Sequence, residues 1–292
     1  MNSVRVGSQI VSSSSPTYMI AEIGLNHNGD LEVAKKLIDE SVKAGFNAVK
    51  FQKRSVKVVF SPEELARPRK SIFGETNGDL KYGLEFDHAD FSEIDKHCKK
   101  LGIDWFASPW DVESLYFLEE FNVVAHKVAS ACLTDKSLLT AMKATGKPVF
   151  LSTGMSTLGQ IRTAFELLDP ENTILMHAVS VYPATQEQLH LSWIEDLKEN
   201  FPNTPVGYSG HEAGVMPSVI AVSKFGAVCV ERHITLDRSM WGSDQSASLE
   251  LEGMNRVVKY IRSIPTVSGE GAKHVLKEEE PILEKLRRVK DF

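Results

Sequence analysis

Cysteine is scarce in this sequence, and none of it is paired along the chain. The 3 cysteines, Cys98, Cys132 and Cys229, lie far apart and form no CxxC motif. This pattern argues against a disulfide framework and against a thiolate zinc site. It is typical of a protein from a reducing compartment.

Long apolar runs and an excess of positive charge are also lacking. Residues 1–17 do not contain the apolar core of a signal peptide. No apolar run approaches the roughly 18 residues that are needed to span a membrane. The net charge of -6 and the pI near 5.9 do not provide the positive surface that nucleic acids require. We therefore predict a cytoplasmic protein that binds neither membranes nor nucleic acid.

What the sequence does contain is a regular alternation of predicted strands and helices. The first helix, Leu31–Ala44, shows the pattern well, since Asp30 precedes it as an N-cap and Gly45 ends it. Eight such strand–helix pairs predict an α/β fold, a (β/α)8 TIM barrel in a single domain over residues 18–264. A doubly wound sheet is the alternative. The predicted strands are Tyr18–Ile23, Ala48–Gln52, Asp104–Ser108, Ala125–Ala129, Pro148–Ser152, Ile174–His177, Val206–Tyr208 and Val228–His233.

Three segments fall outside this alternation. Residues 1–17 are predicted to form an N-terminal extension or a short hairpin. Residues 265–292 are predicted to form a polar tail with a short helix around Pro281–Val289. The connection Lys53–Asp90 is unusually long and rich in glycine, proline and charge, so we predict that it is a loop acting as a functional lid.

Reactive or hydrogen-bonding side chains occur at the carboxyl ends of all eight predicted strands. Catalytic groups gather at that end of a TIM barrel, whereas a packing core has no need of them there. We therefore predict an active site that draws on Glu22, Lys50, Gln52, Ser108, Lys127, Ser130, Ser152, Thr153, His177, Ser209, His211 and His233.

Two lysines lie on predicted strands. The two-residue period of a strand places Lys50 on the face that points into the barrel, and Lys127 is likewise flanked by residues suited to a strand. A buried lysine needs a counter-anion or a lowered pKa. A phosphate or carboxylate substrate would satisfy both lysines, with Ser130, Thr153 and Ser156 completing the anion site. The alternative is a buried ion pair with Glu22 or Glu231.

The stretch Val228–Leu249 begins as a buried strand and ends in a polar loop. It carries Glu231, Arg232 and His233 side by side, which is costly in a core unless each has a partner. His211 follows the neighbouring predicted strand. Two imidazoles at one rim of a barrel suit a divalent metal with open positions for substrate, so we predict that His211 and His233 are metal ligands.

At these residues the sequence resembles the sialic acid synthase (N-acetylneuraminate synthase) family, whose members condense phosphoenolpyruvate with an aldose in a manganese-dependent reaction. The match runs through the barrel from end to end, in the same order and spacing. It rests on AEIGLNHNGD (21–30), VKFQK (49–53), SPWDVES (108–114), KVAS (127–130), PVFLSTGMST (148–157), VGYSGH (206–211) and ERHITLDRSMWGSDQSASLE (231–250).

The resemblance implies a role for each matching residue. It implies that Glu22 is a catalytic carboxylate, that His211 and His233 are catalytic metal ligands, and that Tyr182 and Asp244 contact the sugar. The cofactor would be a divalent metal, Mn²⁺ or alternatively Mg²⁺ or Co²⁺. The substrates would be phosphoenolpyruvate and N-acetylmannosamine or a related aldose, and the chain would form a homo-oligomer. The implied phosphoenolpyruvate-binding residues are Lys50, Gln52, Ser108, Lys127, Ser130, Thr153, Ser156 and Ser209.

The sequence departs from the family pattern in ways that leave the sugar open. Relatives usually carry a C-terminal antifreeze-like domain that donates an arginine to the partner's sugar site, and this sequence ends where that domain would start. Arg54, Arg67 or Arg69 of the long connection are candidates to replace it. Cys132, Gly210 and Gln245 also stand where many bacterial members have other residues. The alternatives are a synthase for a shorter or phosphorylated aldose, a Schiff-base aldolase that uses Lys127, and a non-catalytic barrel subunit.

Overall fold

The computed structural model describes residues 3–289 and shows eight parallel strands that close into a barrel. The strand order around the barrel follows the chain, and each strand pairs with the next. The predicted (β/α)8 barrel is therefore confirmed. Its strands are β3 (Tyr18–Gly24), β4 (Ala48–Lys53), β7 (Asp104–Pro109), β8 (His126–Val128), β9 (Val149–Ser152), β10 (Thr173–Ala178), β11 (Val206–Gly210) and β12 (Cys229–His233).

Helices follow the barrel strands, and the local sequence fixes where they begin and end. The side chain of Asp30 accepts hydrogen bonds from the first turn of α1, and Gly45 ends that helix in the left-handed conformation with φ of 88°. Asp87 and Thr157 start their helices with capping boxes. The barrel helices are α1 (Leu31–Ala44), α5 (His88–Leu101), α6 (Val112–Glu119), α7 (Lys136–Ala144), α8 (Leu158–Leu167), α9 (Trp193–Asn200), α10 (Met216–Ser223) and α11 (Leu251–Ser268).

A short antiparallel hairpin precedes the barrel and lies at the amino end of its strands. It consists of β1 (Val4–Val6) and β2 (Gln9–Val11). Its turn residue Gly7 has φ of +55°, and a Cβ there would lie 2.6 Å from Oδ2 of Asp104, the first residue of β7. Glycine adopts that backbone conformation without strain, and a larger residue would also have to displace the Asp104 carboxylate.

The long connection after β4 contains short helices and strands of its own, and its role as a lid stays a prediction. We call residues 54–86 the insertion. Helix caps explain why the insertion forms regular elements: Ser61 caps a helix that starts at Pro62, and Thr76 forms a capping box with Asp79. Its elements are α2 (Val56–Val59), α3 (Pro62–Leu65), β5 (Pro68–Ser71), β6 (Gly74–Thr76) and α4 (Asn77–Leu84).

The chain divides into two compact units, Met1–Arg262 and Ser263–Phe292. The second unit contains the end of α11 and the short helix α12 (Glu280–Leu286), in the region where the sequence predicts a helix. Parts of the predicted extension and tail, residues 1–2 and 290–292, lie outside the described residues. No helix within residues 3–289 is long and apolar enough to cross a membrane.

Aromatic rings fill the lumen of the barrel below its polar layer. Phe106 stacks on Phe150 with ring centroids 5.2 Å apart, and Tyr18 also stacks on Phe150, at 6.2 Å. Phe106 pairs in register with Lys50, and Phe150 pairs with Lys127. Paired residues of parallel strands face the same side of a sheet, so the aromatic floor and the lysines share the lumen.

Candidate active site

The carboxyl ends of the barrel strands surround a pocket of about 220 Å³. Every barrel strand or the loop after it contributes at least one polar side chain to its wall. The pocket is lined by Glu22, Lys50, Gln52, Ser108, Lys127, Ser130, Ser152, Ser180, Tyr182, Ser209, His211, Glu231 and His233, together with Trp110, Ala129, Ala131 and Met155.

Two buried ion pairs cross the bottom of this pocket. Lys50 Nζ lies 2.8 Å from Glu22 Oε2 and 3.5 Å from Glu231 Oε1. Lys127 Nζ donates to both carboxylate oxygens of Glu231, at 2.9 and 2.8 Å. All four side chains are at most 4% exposed. The ion pairs that the sequence left as an alternative are therefore present.

The charges in the pocket shift one another's pKa values. Burial opposes the charged form of Lys50, but Glu22 and Glu231 outweigh it and raise the pKa of Lys50. Burial lowers the pKa of Lys127, and Lys50 adds repulsion, although Glu231 opposes the change. Burial opposes ionisation of Glu231, but Lys127 and Lys50 hold its pKa well below the usual range. Each lysine thus has a buried carboxylate as its partner, and that partner opposes the loss of its proton.

Serine hydroxyls bind the same charged groups. Ser108 Oγ accepts a hydrogen bond from Lys50 Nζ at 3.0 Å, and Ser209 Oγ donates to Glu231 Oε1 at 3.2 Å. Ser130 lies across the pocket beside Gly154, where an added Cβ would lie only 2.7 Å from its hydroxyl. These hydroxyls can donate or accept, so they suit an anionic ligand with several oxygens.

The two histidines meet at the mouth of the pocket. Their ring centroids are 5.5 Å apart. His211 Nδ1 donates to the carbonyl of Val179 at 2.6 Å, which leaves Nε2 with its lone pair toward the hydroxyl of Tyr182 at 3.1 Å. Burial, together with His233 nearby, lowers the pKa of His211 to about 3. His211 is therefore neutral at physiological pH, in the tautomer that a metal ligand needs.

The donor set fits a metal bound by two protein ligands and open to substrate. Nδ1 of His233 is buried and lacks a hydrogen-bond partner among the described residues, with Asp244 Oδ2 3.8 Å away. No group of three or more His, Cys, Asp or Glu side chains in residues 3–289 is arranged to bind a metal. A divalent ion here would take further ligands from water or substrate oxygens.

Glu22 is held from both sides. Its Oε2 faces Lys50, and its Oε1 accepts a hydrogen bond from Gln52 Nε2 at 3.0 Å. Its backbone pairs with that of His233 on the neighbouring strand β12. The carboxylate therefore contacts Lys50 and Gln52 and belongs to the strand beside that of His233.

Four residues predicted for the site lie outside this pocket. The hydroxyl of Thr153 donates to the carbonyl of Met176 at 3.0 Å, and that of Ser156 donates to Gly154 at 3.1 Å. Both line an adjoining cleft of about 590 Å³ between α8 and α9, as does His177, whose Nε2 donates to the carbonyl of Leu189 at 2.8 Å. Asp244 belongs to the loop after β12 and faces His233 without lining the pocket wall. Thr153 and Ser156 lie outside the pocket because they belong to the turn after a strand, whose geometry the two-residue period does not describe.

Some residues of the pocket were missed in the sequence. Trp110, Met155 and Ser180 line it from loops, where strand periodicity gives no signal. The carboxylate of Glu231, which the sequence offered as an ion-pair partner of the lysines, lies in the lumen between them. Its parity with His233 was the available signal. Arg232 points outward as expected, and pairs with Glu212 at 2.8 Å.

Comparison with known proteins agrees with these features. Residues 37–273 match the model of the NeuB family. The N-acetylneuraminate-9-phosphate synthase of Homo sapiens is 36% identical over 280 residues, which cover 94% of this chain and 78% of that protein. The N,N'-diacetyllegionaminic acid synthase of Campylobacter jejuni is 34% identical over 280 residues, covering 93% of this chain and 83% of that one.

Solved structures show the same barrel. The N-acetylneuraminic acid (sialic acid) synthetase of Leptospira borgpetersenii, solved in complex with citrate, superposes with a TM-score of 0.83 at 31% identity and covers 98% of both chains. A 3-deoxy-D-arabino-heptulosonate 7-phosphate synthase from Thermotoga maritima shares the fold alone, with a TM-score of 0.68 at 13% identity. From the family match over most of its length and these relatives, we conclude that this chain belongs to the NeuB family.

Proposed function

We propose that the protein is a transferase that condenses phosphoenolpyruvate with an aldose, N-acetylmannosamine or a related sugar. The products are a 2-keto-3-deoxy nonulosonic acid and phosphate. The observation that carries the proposal is the pair of buried lysines, Lys50 and Lys127, which meet in one pocket below two histidines. The names of the relatives support it, since they are synthases of N-acetylneuraminate 9-phosphate and of legionaminic and pseudaminic acids.

Phosphoenolpyruvate is the anion that the lysines would bind. Its carboxylate and phosphate are separate negative groups, and the pocket offers two ammonium groups with serine hydroxyls beside them. We assign Lys50, Gln52, Ser108, Lys127, Ser130 and Ser209 to its binding, with Thr153 and Ser156 reached from the adjoining cleft. On binding, the substrate takes the place of Glu22 and Glu231 as partner of the lysines.

Charge balance supports a metal at the histidines. The two lysines and the two carboxylates have formal charges that cancel, so phosphoenolpyruvate adds negative charge without compensation. A divalent cation held by His211 and His233 would offset it; Mn²⁺ is our first choice, with Mg²⁺ and Co²⁺ as alternatives. When bound, such an ion acts as a Lewis acid that polarises the aldehyde oxygen of the sugar.

The residues of the chain then have distinct tasks in the reaction. Lys50 and Lys127 hold phosphoenolpyruvate so that its C3 forms a bond with the aldehyde carbon, whose oxygen takes a proton. C2 becomes electron-poor and takes up water. Glu22, beside both the lysines and the histidines, accepts the proton of that water. The tetrahedral intermediate then releases phosphate by cleavage of its C–O bond.

The sugar is contacted at the mouth of the pocket. The hydroxyl of Tyr182 lies 3.1 Å from His211 Nε2, and Asp244 lies behind His233. Burial and Asp244 raise the pKa of Tyr182, so it remains a hydrogen-bond donor at neutral pH. Phosphorylated and unphosphorylated products both occur among the named relatives, so a phosphorylated or shorter aldose is the second candidate.

Phosphate release measures this proposal directly. The protein is incubated with phosphoenolpyruvate, Mn²⁺ and one sugar at a time: N-acetylmannosamine, its 6-phosphate, mannose, its 6-phosphate, arabinose 5-phosphate and erythrose 4-phosphate. We expect sugar-dependent phosphate release and a product whose mass is that of the sugar plus pyruvate. No release with any sugar would contradict the proposal and favour a non-catalytic barrel subunit.

A further inference from the structure

Arg54 is a buried arginine at the start of the insertion, just outside the pocket. Its side chain is 7% exposed. Nη1 donates to Glu85 Oε1 at 3.1 Å, its backbone N–H donates to Glu85 Oε2 at 3.0 Å, and its guanidinium stacks 4.4 Å from the ring centre of Trp110. These contacts occupy the guanidinium and hold it away from the mouth of the pocket. That Arg54 contacts the sugar stays a prediction; Arg54 itself does not line the pocket.

The same guanidinium ends a chain of hydrogen bonds that begins at Glu22. Gln52 donates from Nε2 to Glu22 Oε1 at 3.0 Å, and its Oε1 accepts a hydrogen bond from Arg54 Nη2. An amide that accepts from Arg54 with its oxygen must turn its NH₂ group toward Glu22. Arg54 thus fixes which end of Gln52 faces the carboxylate.

This orientation matters most when substrate is bound. In the free protein, Lys50 holds Oε2 of Glu22 at 2.8 Å. Phosphoenolpyruvate would draw Lys50 toward its own anionic groups, which leaves Gln52 as the neighbour that still holds Glu22. A reversed Gln52 amide would present its oxygen to the carboxylate and repel it.

We propose that Arg54 is a positioning residue for the reaction, acting on Glu22 through Gln52. The inference rests on the proposed function, because it concerns the orientation of the carboxylate that accepts the proton from water. It links the base of the insertion to the catalytic carboxylate. Because small displacements of a catalytic group are costly, loss of Arg54 should lower kcat by about 10- to 100-fold.

A double-mutant cycle in the full chain tests this link. We expect Arg54→Met to lower kcat while the KM for phosphoenolpyruvate stays within about twofold, since both lysines remain. In a Gln52→Ala background, Arg54→Met should change kcat by less than about twofold, because the connecting side chain is already gone. Lys53→Met is the matched control: Lys53 binds Glu85 and the carbonyl of Phe86 but not Gln52.

The variants also separate positioning from folding. Arg54→Lys keeps a positive charge beside Glu85, so it should regain the thermal stability that is lost in Arg54→Met. One ammonium group cannot bind Glu85 and Gln52 together as the forked guanidinium does, so kcat should stay low. If Arg54→Met does not fold, Arg54→Lys takes its place in the cycle. Unchanged kcat in the Arg54 variants, an equal loss in both backgrounds, or the same kcat loss in Lys53→Met would overturn the inference. An inactive wild-type protein would instead overturn the proposed function.

Discussion

Four charged side chains share one layer of the barrel lumen, and each depends on the others. Removing one partner of a buried ion pair leaves an uncompensated charge, which typically costs about 3–5 kcal/mol of stability. Lys50 contacts both Glu22 and Glu231, so it connects the two pairs into one network. The network holds both lysines in position for a substrate.

The first prediction concerns Lys127. Lys127→Ala should raise the KM for phosphoenolpyruvate by at least about tenfold, because one of two cations for its anionic groups is lost. Glu231 would then keep only its longer ion pair with Lys50 at 3.5 Å, so the double variant Lys127→Met/Glu231→Gln serves as a second test with both charges removed. Steady-state kinetics measures the effect. Lys147→Ala, which breaks a 2.9 Å pair with Glu119 away from the pocket, is the control. An unchanged KM in both pocket variants would remove Lys127 from the anion site.

A second prediction concerns the histidine pair. His233→Ala should abolish turnover and weaken Mn²⁺ binding, since only His211 would remain as an imidazole ligand. Titration calorimetry with Mn²⁺ and activity after dialysis against a chelator check both parts. His274→Ala, in the second unit of the chain, is the control and should behave as wild type. Full activity of chelator-treated wild-type protein would exclude the metal assignment.

At the scale of elements, the insertion is tied to the loop after β3 by close packing. His27 in that loop stacks on Phe86 at 4.0 Å, and its Nδ1 accepts from the backbone of Gly29 at 3.1 Å. A Cβ on Gly83 of α4 would lie 2.2 Å from the ring of Phe73, so only glycine fits there. These contacts make the insertion part of the rim of the barrel.

The third prediction is a pH dependence of stability that arises from His27. Burial, with the charge of Arg54 nearby, lowers the pKa of His27 to about 3. Below about pH 6.5 His27 binds a proton in the unfolded chain but stays neutral in the folded protein. The contribution of His27 to the free energy of unfolding is therefore complete above pH 6.5. As the pH is lowered from 6.5 to 3, it falls by about 1.4 kcal/mol per pH unit.

Urea unfolding in the presence of a chelator tests this contribution. His27→Gln should lose stability less steeply than wild type between pH 6.5 and 5, by about 1.4 kcal/mol per unit. Between pH 7.5 and 8.5 the two proteins should respond to pH alike, which provides the internal control. Parallel curves over the acidic range would show that His27 is charged in the folded protein.

At the scale of the whole molecule, repetition made the barrel predictable. Eight strand–helix pairs repeat one physical pattern, and caps such as Asp30 and Gly45 mark the ends of α1. One ambiguous segment therefore does not obscure the fold. The insertion escaped prediction because its helices and strands are short. Elements of four residues such as α2 and α3 have little periodicity and depend on tertiary contacts.

The site was predictable where strands place it and less so where turns do. Lys50, Lys127 and His233 lie in the pocket because strand parity fixes their direction. Met155, at φ of 58° in the turn after β9, and Ser180, in the loop after β10, line the pocket without any periodic signal. Glu22 and Glu231 could be named as partners of the lysines from the sequence, but only the structure shows which pairs form, such as Lys127 with Glu231 at 2.8 Å.

The fate of the bridging oxygen of phosphoenolpyruvate tests the central claim most directly. We would supply phosphoenolpyruvate labelled with ¹⁸O at the oxygen between C2 and phosphorus, together with Mn²⁺ and the sugar that supports phosphate release. Mass spectrometry of both products then follows the label. Our account predicts that the released phosphate retains the ¹⁸O and that the sugar acid, whose C2 oxygen comes from water, does not. Label in the sugar acid, or a pyruvate adduct on Lys127 trapped by borohydride, would contradict it.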